Sequence, residues 1–297
     1  MSGRLRSEVA RDTGRAARLL FVHAHPDDET LTTGLTMASY ASRHHDVHLL
    51  TCTLGEQGEV IPPELAHLAA DRDDTLGPYR RQELQAAMSV LGVTHSVLGQ
   101  DPARGVLSRY RDSGMAGTAG ARHPDAFAAA DPAEATAMVA AHIRALRPDV
   151  VVTYDAHGGY GHPDHIQVHR VGLRAAELAG TPRVYQQTTS REHVRRGMAA
   201  MLEQGAMAGM DPPNPEIIER LGTPESDITC AVDVSAYIDH KRRAMRAHAS
   251  QISEQSMFLA LPQEDFLQTF GMEWYIRTGQ GPGITETDLM AGLPTGS

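Results

Sequence analysis

The fold of this chain is set by the stretch Phe21-Val22-His23-Ala24-His25-Pro26-Asp27-Asp28-Glu29. The apolar residues before it, from Ala17 onward, indicate a buried strand that runs into this stretch. Pro26 and the acidic residues after it then predict a tight turn that leads into a helix. Because open α/β sheets carry their sites at the carboxyl ends of the strands, we expect functional side chains in this turn.

The order of the elements around this stretch indicates an α/β protein. A strand, a helix and a second strand over residues 46–53 follow one another, which is the pattern of a βαβ unit. Such crossovers are right-handed and imply a parallel sheet. Residues 149–155 form another buried strand pattern, and a helix is predicted after it over residues 163–179. We therefore predict a Rossmann-like α/β fold, a mostly parallel sheet flanked by helices with a smaller α/β portion at its C-terminal end.

We expect the chain to divide into four parts. Residues 1–16 are Arg-rich but lack the apolar segment of a signal peptide, so they are predicted to be a flexible tail. Residues 17–190 contain the βαβ patterns and form the predicted Rossmann-like catalytic core. Residues 191–280 are predicted to pack on this core and to border the active site. The residues at the end, 281–297, are predicted to form a second flexible tail.

Composition and charge exclude several classes of partner. The 297 residues carry a formal charge of −10, which argues against a surface that binds nucleic acid. No apolar run has the length of a transmembrane helix. We therefore expect a small-molecule substrate, with no nucleic acid and no membrane, and the sequence specifies no oligomeric state. One predicted helix carries a basic run that we expect to form a solvated face: Lys241, Arg242, Arg243 and Arg246.

The two cysteines indicate the compartment. Cys52 and Cys230 each lie in an apolar strand pattern, so we predict buried free thiols rather than a disulfide. Free thiols are typical of a reducing environment, and we therefore expect a cytoplasmic protein.

A second polar loop follows the predicted strand at residues 149–155. It contains Gly161-His162-Pro163-Asp164-His165, and Pro163 fits the first turn of the helix that follows. His162 and His165 are three residues apart and would share one face of that helix. Because both loops follow strands of the same sheet, we expect them to meet at one edge of it.

Together the two loops contain the donors of a hydrolytic metal centre. Catalytic zinc takes three protein ligands and leaves one position open. The first loop offers His25 and Asp28. The second offers His162 and His165, which is one donor more than needed, and the spacing does not decide which histidine is spare. The alternative interpretation is that the two polar loops are unrelated.

Further side chains in these loops suit the hydrolysis of an amide. Asp27 need not bind the metal, so it could take a proton from the attacking water. The oxyanion could be stabilised by Tyr160 or by the spare histidine. Asp164 stands beside His162 in the sequence and could orient it or raise its pKa.

The paired motifs His25-Pro26-Asp27-Asp28-Glu29 and Gly161-His162-Pro163-Asp164-His165 resemble the signature of the LmbE/PIG-L family of zinc-dependent deacetylases. This family has a Rossmann-like fold and acts on N-acetylglucosaminyl compounds. The similarity covers most of the chain, from residue 17 to residue 234. Within the family, the motifs most resemble those of the deacetylases of mycothiol biosynthesis. Further matching segments are Thr51-Cys52-Thr53-Leu54-Gly55-Glu56, Tyr79-Arg80, Tyr110-Arg111-Asp112-Ser113-Gly114-Met115-Ala116-Gly117 and Thr153-Tyr154-Asp155.

The resemblance implies a metal-ligand set and a base. It implies that His25, Asp28 and His165 bind zinc. Ferrous iron would suit the same nitrogen and oxygen donors, so the metal is left open between the two. Asp27 is implied to be the general base.

The resemblance also implies roles around the substrate. His162 would stabilise the oxyanion or shuttle a proton, with Asp164 orienting it. Tyr160 would gate the site and help to polarise the carbonyl. Arg80 and Asp112 match positions that hold hydroxyl groups of the sugar or the inositol.

The function that the resemblance implies is metal-dependent hydrolysis of the N-acetyl group of N-acetylglucosaminyl-inositol, which gives free amine and acetate. One alternative is a mycothiol S-conjugate amidase, which uses the same centre on a larger amide. Gly161 and the segment Gly114-Met115-Ala116-Gly117 favour the deacetylase, since the amidase pattern has proline in place of Gly161. The other alternative is a metal-dependent sugar-binding module without turnover, and the non-ligating Asp27 argues against it.

Overall fold

The computed structural model describes residues 16–203, 222–256 and 258–293. The predicted N-terminal tail lies outside the described residues except for Ala16. Residues 294–297 of the predicted C-terminal tail also lie outside them.

The described residues contain one mixed sheet of seven strands. The strands are β1 (Arg18–His23), β2 (Asp46–Thr51), β3 (Thr94–Val97), β4 (Val150–Tyr154), β5 (Arg183–Thr188), β6 (Cys230–Asp233) and β7 (Met272–Arg277). Their order in the sheet is β3-β2-β1-β4-β5-β7-β6. The first five of these run parallel, whereas β7 is antiparallel to both β5 and β6. The mostly parallel α/β fold predicted from the sequence is confirmed.

Eight α-helices are found in the described part of the chain. They are α1 (Asp28–Thr32), α2 (Gly34–Ser42), α3 (Leu76–Leu91), α4 (Pro132–Leu146), α5 (Pro163–Ala179), α6 (Arg191–Glu203), α7 (Ile238–Ala247) and α8 (Gln263–Phe270). The single helix predicted after the first motif is broken at Thr33, between α1 and α2. Short 3₁₀ helices lie in the connections, at Pro63–Leu68, Pro102–Arg104, Gly120–Arg122, Phe127–Ala129, Glu225–Asp227 and Ser235–Tyr237.

The two central strands carry side chains into separate cores on the two faces of the sheet. Leu19 and Phe21 of β1 belong to one buried cluster, and Leu20 and Val22 belong to the other. All four are at most 1% exposed. This alternation explains why β1 reads as a continuous apolar run, because helices cover both faces of the sheet.

The place where β1 meets β4 positions the site. These strands are parallel neighbours, with Leu20 paired to Val151. The chain leaves β1 toward β2 on one side and leaves β4 toward β5 on the other, so the sheet order reverses between them. Open α/β sheets bind their ligands at such a switch point. The loops that follow His23 and Tyr154 therefore face each other across it.

The C-terminal portion packs on the core through a buried ion pair. Lys241 of α7 is 2% exposed, and its Nζ lies 3.2 Å from Oε1 of Glu273 on β7. The Glu273 carboxylate also accepts the backbone N–H groups of Leu35 and Thr36, at 3.1 and 2.9 Å, in the first turn of α2. The prediction of a solvated basic face is therefore wrong for Lys241, while it fits the exposed Arg243.

Residues 281–293 pack on the protein instead of forming the tail that the sequence predicts. Leu289 is fully buried within the core cluster that includes Phe21. Glu286 accepts a hydrogen bond of 2.7 Å from the Tyr185 hydroxyl and pairs with Arg277 at 2.6 Å. These contacts hold the segment against β5 and β7.

Two further expectations concern the cysteines and the membrane. Cys52 and Cys230 are buried free thiols, as predicted. Among the described residues, no helix has both the length and the apolar character needed to cross a membrane.

We expect Lys241→Met to lower the free energy of unfolding by about 3 kcal/mol, because Glu273 would remain buried without its cation. Urea unfolding of both proteins would measure the difference. Arg246→Ala on the same helix is the matched control, since its pair with Glu254 is about half exposed and should contribute less than about 1 kcal/mol. Equal losses in the two variants would contradict this account of the packing.

Candidate metal centre and active site

The first loop begins where β1 ends, and its backbone is strained at one residue. Asp27 adopts a φ of 96°, a conformation that residues other than glycine rarely take. It directly precedes α1, which begins at Asp28. His25 and Asp28 are each at most 7% exposed to solvent, so the turn directs its polar side chains into the protein.

Three donor atoms from the two loops converge on one point. Nδ1 of His25 lies 3.1 Å from Oδ2 of Asp28. Nε2 of His165 lies 3.1 Å from the same carboxylate oxygen and 3.4 Å from Nδ1 of His25. Ligands of a tetrahedral zinc ion at about 2.0–2.1 Å stand about 3.3 Å apart, so this triangle fits such an ion.

Hydrogen bonds set both imidazoles so that they offer a lone pair to this point. Nδ1 of His165 lies 3.1 Å from the carbonyl oxygen of Gly158, which can only accept, so the proton is on Nδ1 and Nε2 is free. Nε2 of His25 lies 3.1 Å from Asp164 and 3.3 Å from Asp112. The ring therefore turns its N–H toward these carboxylates and leaves Nδ1 for a metal.

Other donors lie close to the same centre. Ligand atoms of His25, His162 and His165 all lie within 4.8 Å of one another, and so do those of His25, Asp112 and Asp164. The second of these groups sits on the side of His25 that faces away from Asp28, because it uses Nε2. Nδ1 of His25 therefore faces Asp28 and His165, and Nε2 faces Asp112 and Asp164. The choice between His162 and His165 as metal ligand stays a prediction.

His162 stands at the start of α5 and is 6% exposed. Its Nδ1 accepts the backbone N–H of Asp164 at 3.2 Å, which places the proton of the neutral ring on Nε2. Burial, together with the imidazoles of His25 and His165, lowers the pKa of His162 to about 4. The ring is therefore a neutral N–H donor at physiological pH.

The Asp164 carboxylate does not bond to His162, which differs from the role that the sequence suggests. Its Oδ2 lies 3.1 Å from His25 and accepts the backbone N–H of Ser113 at 2.8 Å. Its Oδ1 accepts the Ser113 hydroxyl at 2.5 Å. Asp164 orients His162 through its backbone N–H, while its side chain orients His25.

Arg80 lies beside Asp27 and is only 3% exposed. Its guanidinium donates to the carbonyl oxygens of Gly55, at 2.7 Å, and of Pro26, and one nitrogen lies 3.3 Å from Oδ2 of Asp27. Burial raises the pKa of Asp27 to about 6, although the Arg80 charge acts to lower it. These contacts engage the terminal nitrogens of the guanidinium with protein groups and make Arg80 a partner of Asp27, while its buried Nε has no hydrogen-bond partner among the described residues.

The long loop between β3 and α4 brings Asp112 into the site, and Tyr160 stands at the rim. Asp112 is 4% exposed, and its Oδ1 accepts the N–H of Gly114 at 2.7 Å, which holds it toward His25. Tyr160 is 60% exposed, with its ring 5.1 Å from that of His165. The structure thus gathers all nine sequence-predicted site residues around the switch point.

Sequence reasoning missed several buried partners of these residues. Ser113 binds Asp164, and its position next to Asp112 in the matching segment is a signal that could have found it. Tyr154 stacks on His165 with ring centres 4.3 Å apart, and its hydroxyl lies 3.1 Å from His23. His248 was also missed, because it lies far away in the sequence and matches no motif.

Comparisons with known proteins show similarity in sequence and in fold. The 1D-myo-inositol 2-acetamido-2-deoxy-alpha-D-glucopyranoside deacetylase of Thermobispora bispora is 44% identical over 309 residues, covering 93% of this chain and 98% of the relative. The N,N'-diacetylchitobiose deacetylase of Pyrococcus horikoshii shares the fold, with a TM-score of 0.54 and 18% identity over 89% of this chain and 85% of that chain. So does the 4-carboxy-2-hydroxymuconate hydratase of Pseudomonas putida, with a TM-score of 0.55 and 16% identity over 89% and 97%.

The two solved structures show the fold alone, because enzymes of different chemistry share it at this level of identity. The sequence family described as PIG-L: GlcNAc-PI de-N-acetylase matches residues 20–176, which include both loops of the metal centre. With this match over half of its length and a relative 44% identical across nearly all of it, the chain belongs to the PIG-L family.

Proposed function

We propose that this protein is a metal-dependent deacetylase that hydrolyses the N-acetyl group of N-acetylglucosaminyl-inositol and releases acetate in mycothiol biosynthesis. The observation that carries the chemistry is the triangle of His25, Asp28 and His165 donors, with Asp27 next to Asp28 in the chain and paired with Arg80. The substrate follows from the relative that is 44% identical over 93% of this chain and is named for this reaction.

We assign the metal to His25, Asp28 and His165. One carboxylate and two imidazoles at tetrahedral spacing suit zinc, and ferrous iron accepts the same donors. When bound, the ion supplies a Lewis acid that polarises the amide carbonyl and makes water more acidic. The protein's own contribution is to fix the orientation of the imidazole donors. The Gly158 carbonyl oxygen contacts Nδ1 of His165. The carboxylates of Asp112 and Asp164 contact Nε2 of His25.

Asp27 acts as the general base in this proposal. Its pKa of about 6 leaves it ionised at neutral pH and basic enough to take a proton from water. Arg80, at 3.3 Å, fixes the direction of the carboxylate. We propose that Arg80 also contributes to sugar binding through this arrangement, although its own contacts are with the protein.

His162 and Tyr160 serve the developing oxyanion. The Nε2–H of His162 is held in position because Nδ1 accepts the Asp164 amide. A preorganised donor of this kind stabilises a tetrahedral intermediate more than a flexible one does. Tyr160 is exposed at the rim and can move over the substrate, and Asp112 offers a carboxylate for a sugar or inositol hydroxyl.

The test is an assay of acetate and free amine from N-acetylglucosaminyl-inositol, with zinc-loaded protein and again after chelation. We expect release that is lost with the chelator and restored by added metal. A mycothiol S-conjugate serves as the second substrate, and faster cleavage of that amide would replace the deacetylase by the amidase. Metal and sugar binding without release of acetate from either substrate would instead indicate a binding module.

We expect Asp27→Asn to lower kcat about 100-fold or more while zinc binding stays unchanged, because the base is removed and the ligands are kept. Asparagine tolerates a positive φ better than most residues, so the turn should be retained. Steady-state kinetics and a zinc titration on the same preparation measure the two effects. A variant with wild-type kcat would rule out Asp27 as the base.

His162→Ala and His165→Ala form a matched pair that decides which histidine holds the metal. We expect His165→Ala to weaken zinc binding by more than about 100-fold. This exceeds the effect of removing a residue that only hydrogen-bonds a metal ligand. His162→Ala should keep zinc affinity within about 10-fold and lose turnover instead. Competition with a chromophoric chelator gives both affinities. The reverse order would exchange the roles of the two residues.

A further inference from the structure

The strained backbone of Asp27 is held by a carboxylate from the next turn. The N–H of Asp27 donates to Oε2 of Glu29 at 3.0 Å. Glu29 is fully buried, on the inward side of α1. A residue at φ 96° keeps that conformation only when its surroundings enforce it. The Glu29 carboxylate provides the contact to the Asp27 N–H, while the Asp27 carbonyl oxygen accepts the Leu31 N–H at 2.9 Å.

The other oxygen of Glu29 is held by a residue from the C-terminal portion of the chain. Nε2 of His248 lies 3.0 Å from Oε1 of Glu29, which also accepts the Thr30 hydroxyl at 2.7 Å. His248 is fully buried and directly follows α7. Its Nδ1 has no hydrogen-bond partner among the described residues, so the ring is held in the polar network through Nε2.

A second contact from the same segment reaches α3, the helix that carries Arg80. The N–H and hydroxyl of Ser250 donate to the two oxygens of Glu83, at 2.7 and 2.6 Å. Glu83 and Arg80 are three residues apart on α3 and share a face of it. Arg80 in turn contacts the Asp27 carboxylate. Residues 248–250 thus contact Glu29 directly and also contact the helix that carries Arg80.

We propose that His248 is a positioning residue for Asp27 and acts through Glu29 on the strained backbone. The inference rests on the proposed function, in which Asp27 is the base, and it adds a residue that lies outside the family match at residues 20–176. The hydrogen bonds of His248 go to Glu29 and Thr30 and include none of the three metal donors. Its effect is to fix the orientation of the Asp27 carboxylate.

The physical reason is that the Glu29 carboxylate has no other hydrogen bond to a cation or an imidazole among the described residues. Without His248, a buried carboxylate would keep only the Thr30 hydroxyl and the Asp27 N–H. It would then rotate or admit water to recover solvation. The Asp27 N–H would lose its fixed acceptor, so this backbone could shift from φ 96° although Arg80 still contacts the carboxylate. A displacement of about 1 Å in a catalytic group can lower the rate about 100-fold.

The experiment compares His248→Leu and His248→Gln in the full chain. The leucine removes the donor to Glu29, and we expect kcat to fall about 10- to 100-fold with KM and zinc affinity within about twofold of wild type. The glutamine keeps an N–H donor at similar reach, so it should recover most of the rate. Should the leucine variant fail to fold, His248→Asn replaces it, because its shorter amide withdraws the donor.

Lys241→Met is the control for a purely structural effect. Lys241 lies on the helix that precedes His248 and forms its own buried ion pair with Glu273. It should lose stability but keep wild-type kcat at temperatures where it stays folded. Equal kcat for the His248 variants and wild type would overturn the proposal, and so would an equal loss of kcat in Lys241→Met.

Hydrogen exchange at the Asp27 amide tests, without any turnover, whether His248 and Glu29 hold this backbone N–H. With ¹⁵N-labelled aspartate, we expect this amide to exchange faster in His248→Leu than in wild type or Lys241→Met. Unchanged exchange would overturn the proposal that His248 positions Asp27, even if the enzyme is a deacetylase. If the wild-type protein releases no acetate, the proposed function fails, and the exchange result still decides whether His248 holds this backbone.

Discussion

The imidazole of His25 joins the two halves of the site, and the rest of the arrangement depends on its two nitrogens. Nδ1 faces Asp28 and His165, where a metal can sit. Nε2 faces Asp164 and Asp112, which come from α5 and from the long loop before α4. One ring therefore connects three separate segments of the chain. This is possible only because β1 and β4 are neighbours at the switch point of the sheet.

Buried carboxylates connect the C-terminal portion to the core. Glu29 contacts His248, Glu83 contacts Ser250, and Glu273 contacts Lys241 together with the first turn of α2. Each carboxylate is buried and would destabilise the fold if it lost its partner. The C-terminal portion therefore supplies polar partners to the core, in addition to covering apolar surface, and of these only His248 reaches the network of Asp27.

The sequence predicted those features whose signal is local. Buried strands such as β1 and β4 appear as apolar runs, and the turns after them contain the metal donors within a few residues. The packing of Lys241 and the strand β7 were not predictable in this way. A charged side chain on a helix is normally solvated, and only the distant Glu273 makes its burial favourable. His248 is likewise separated from Glu29 by most of the chain, so no local pattern connects them.

The conformation of Asp27 bears on whether this site catalyses a reaction or only binds a ligand. A φ of 96° at a non-glycine residue is unfavourable by about 1–3 kcal/mol, and burying the carboxylate adds a desolvation penalty. A site that only binds a metal and a sugar gains nothing from the backbone strain or from the buried carboxylate, because the set of three metal donors is complete without Asp27. A base that must face the attacking water requires a fixed carboxylate beside the metal. The strain at Asp27, with Glu29 and Arg80 to maintain it, therefore favours hydrolysis.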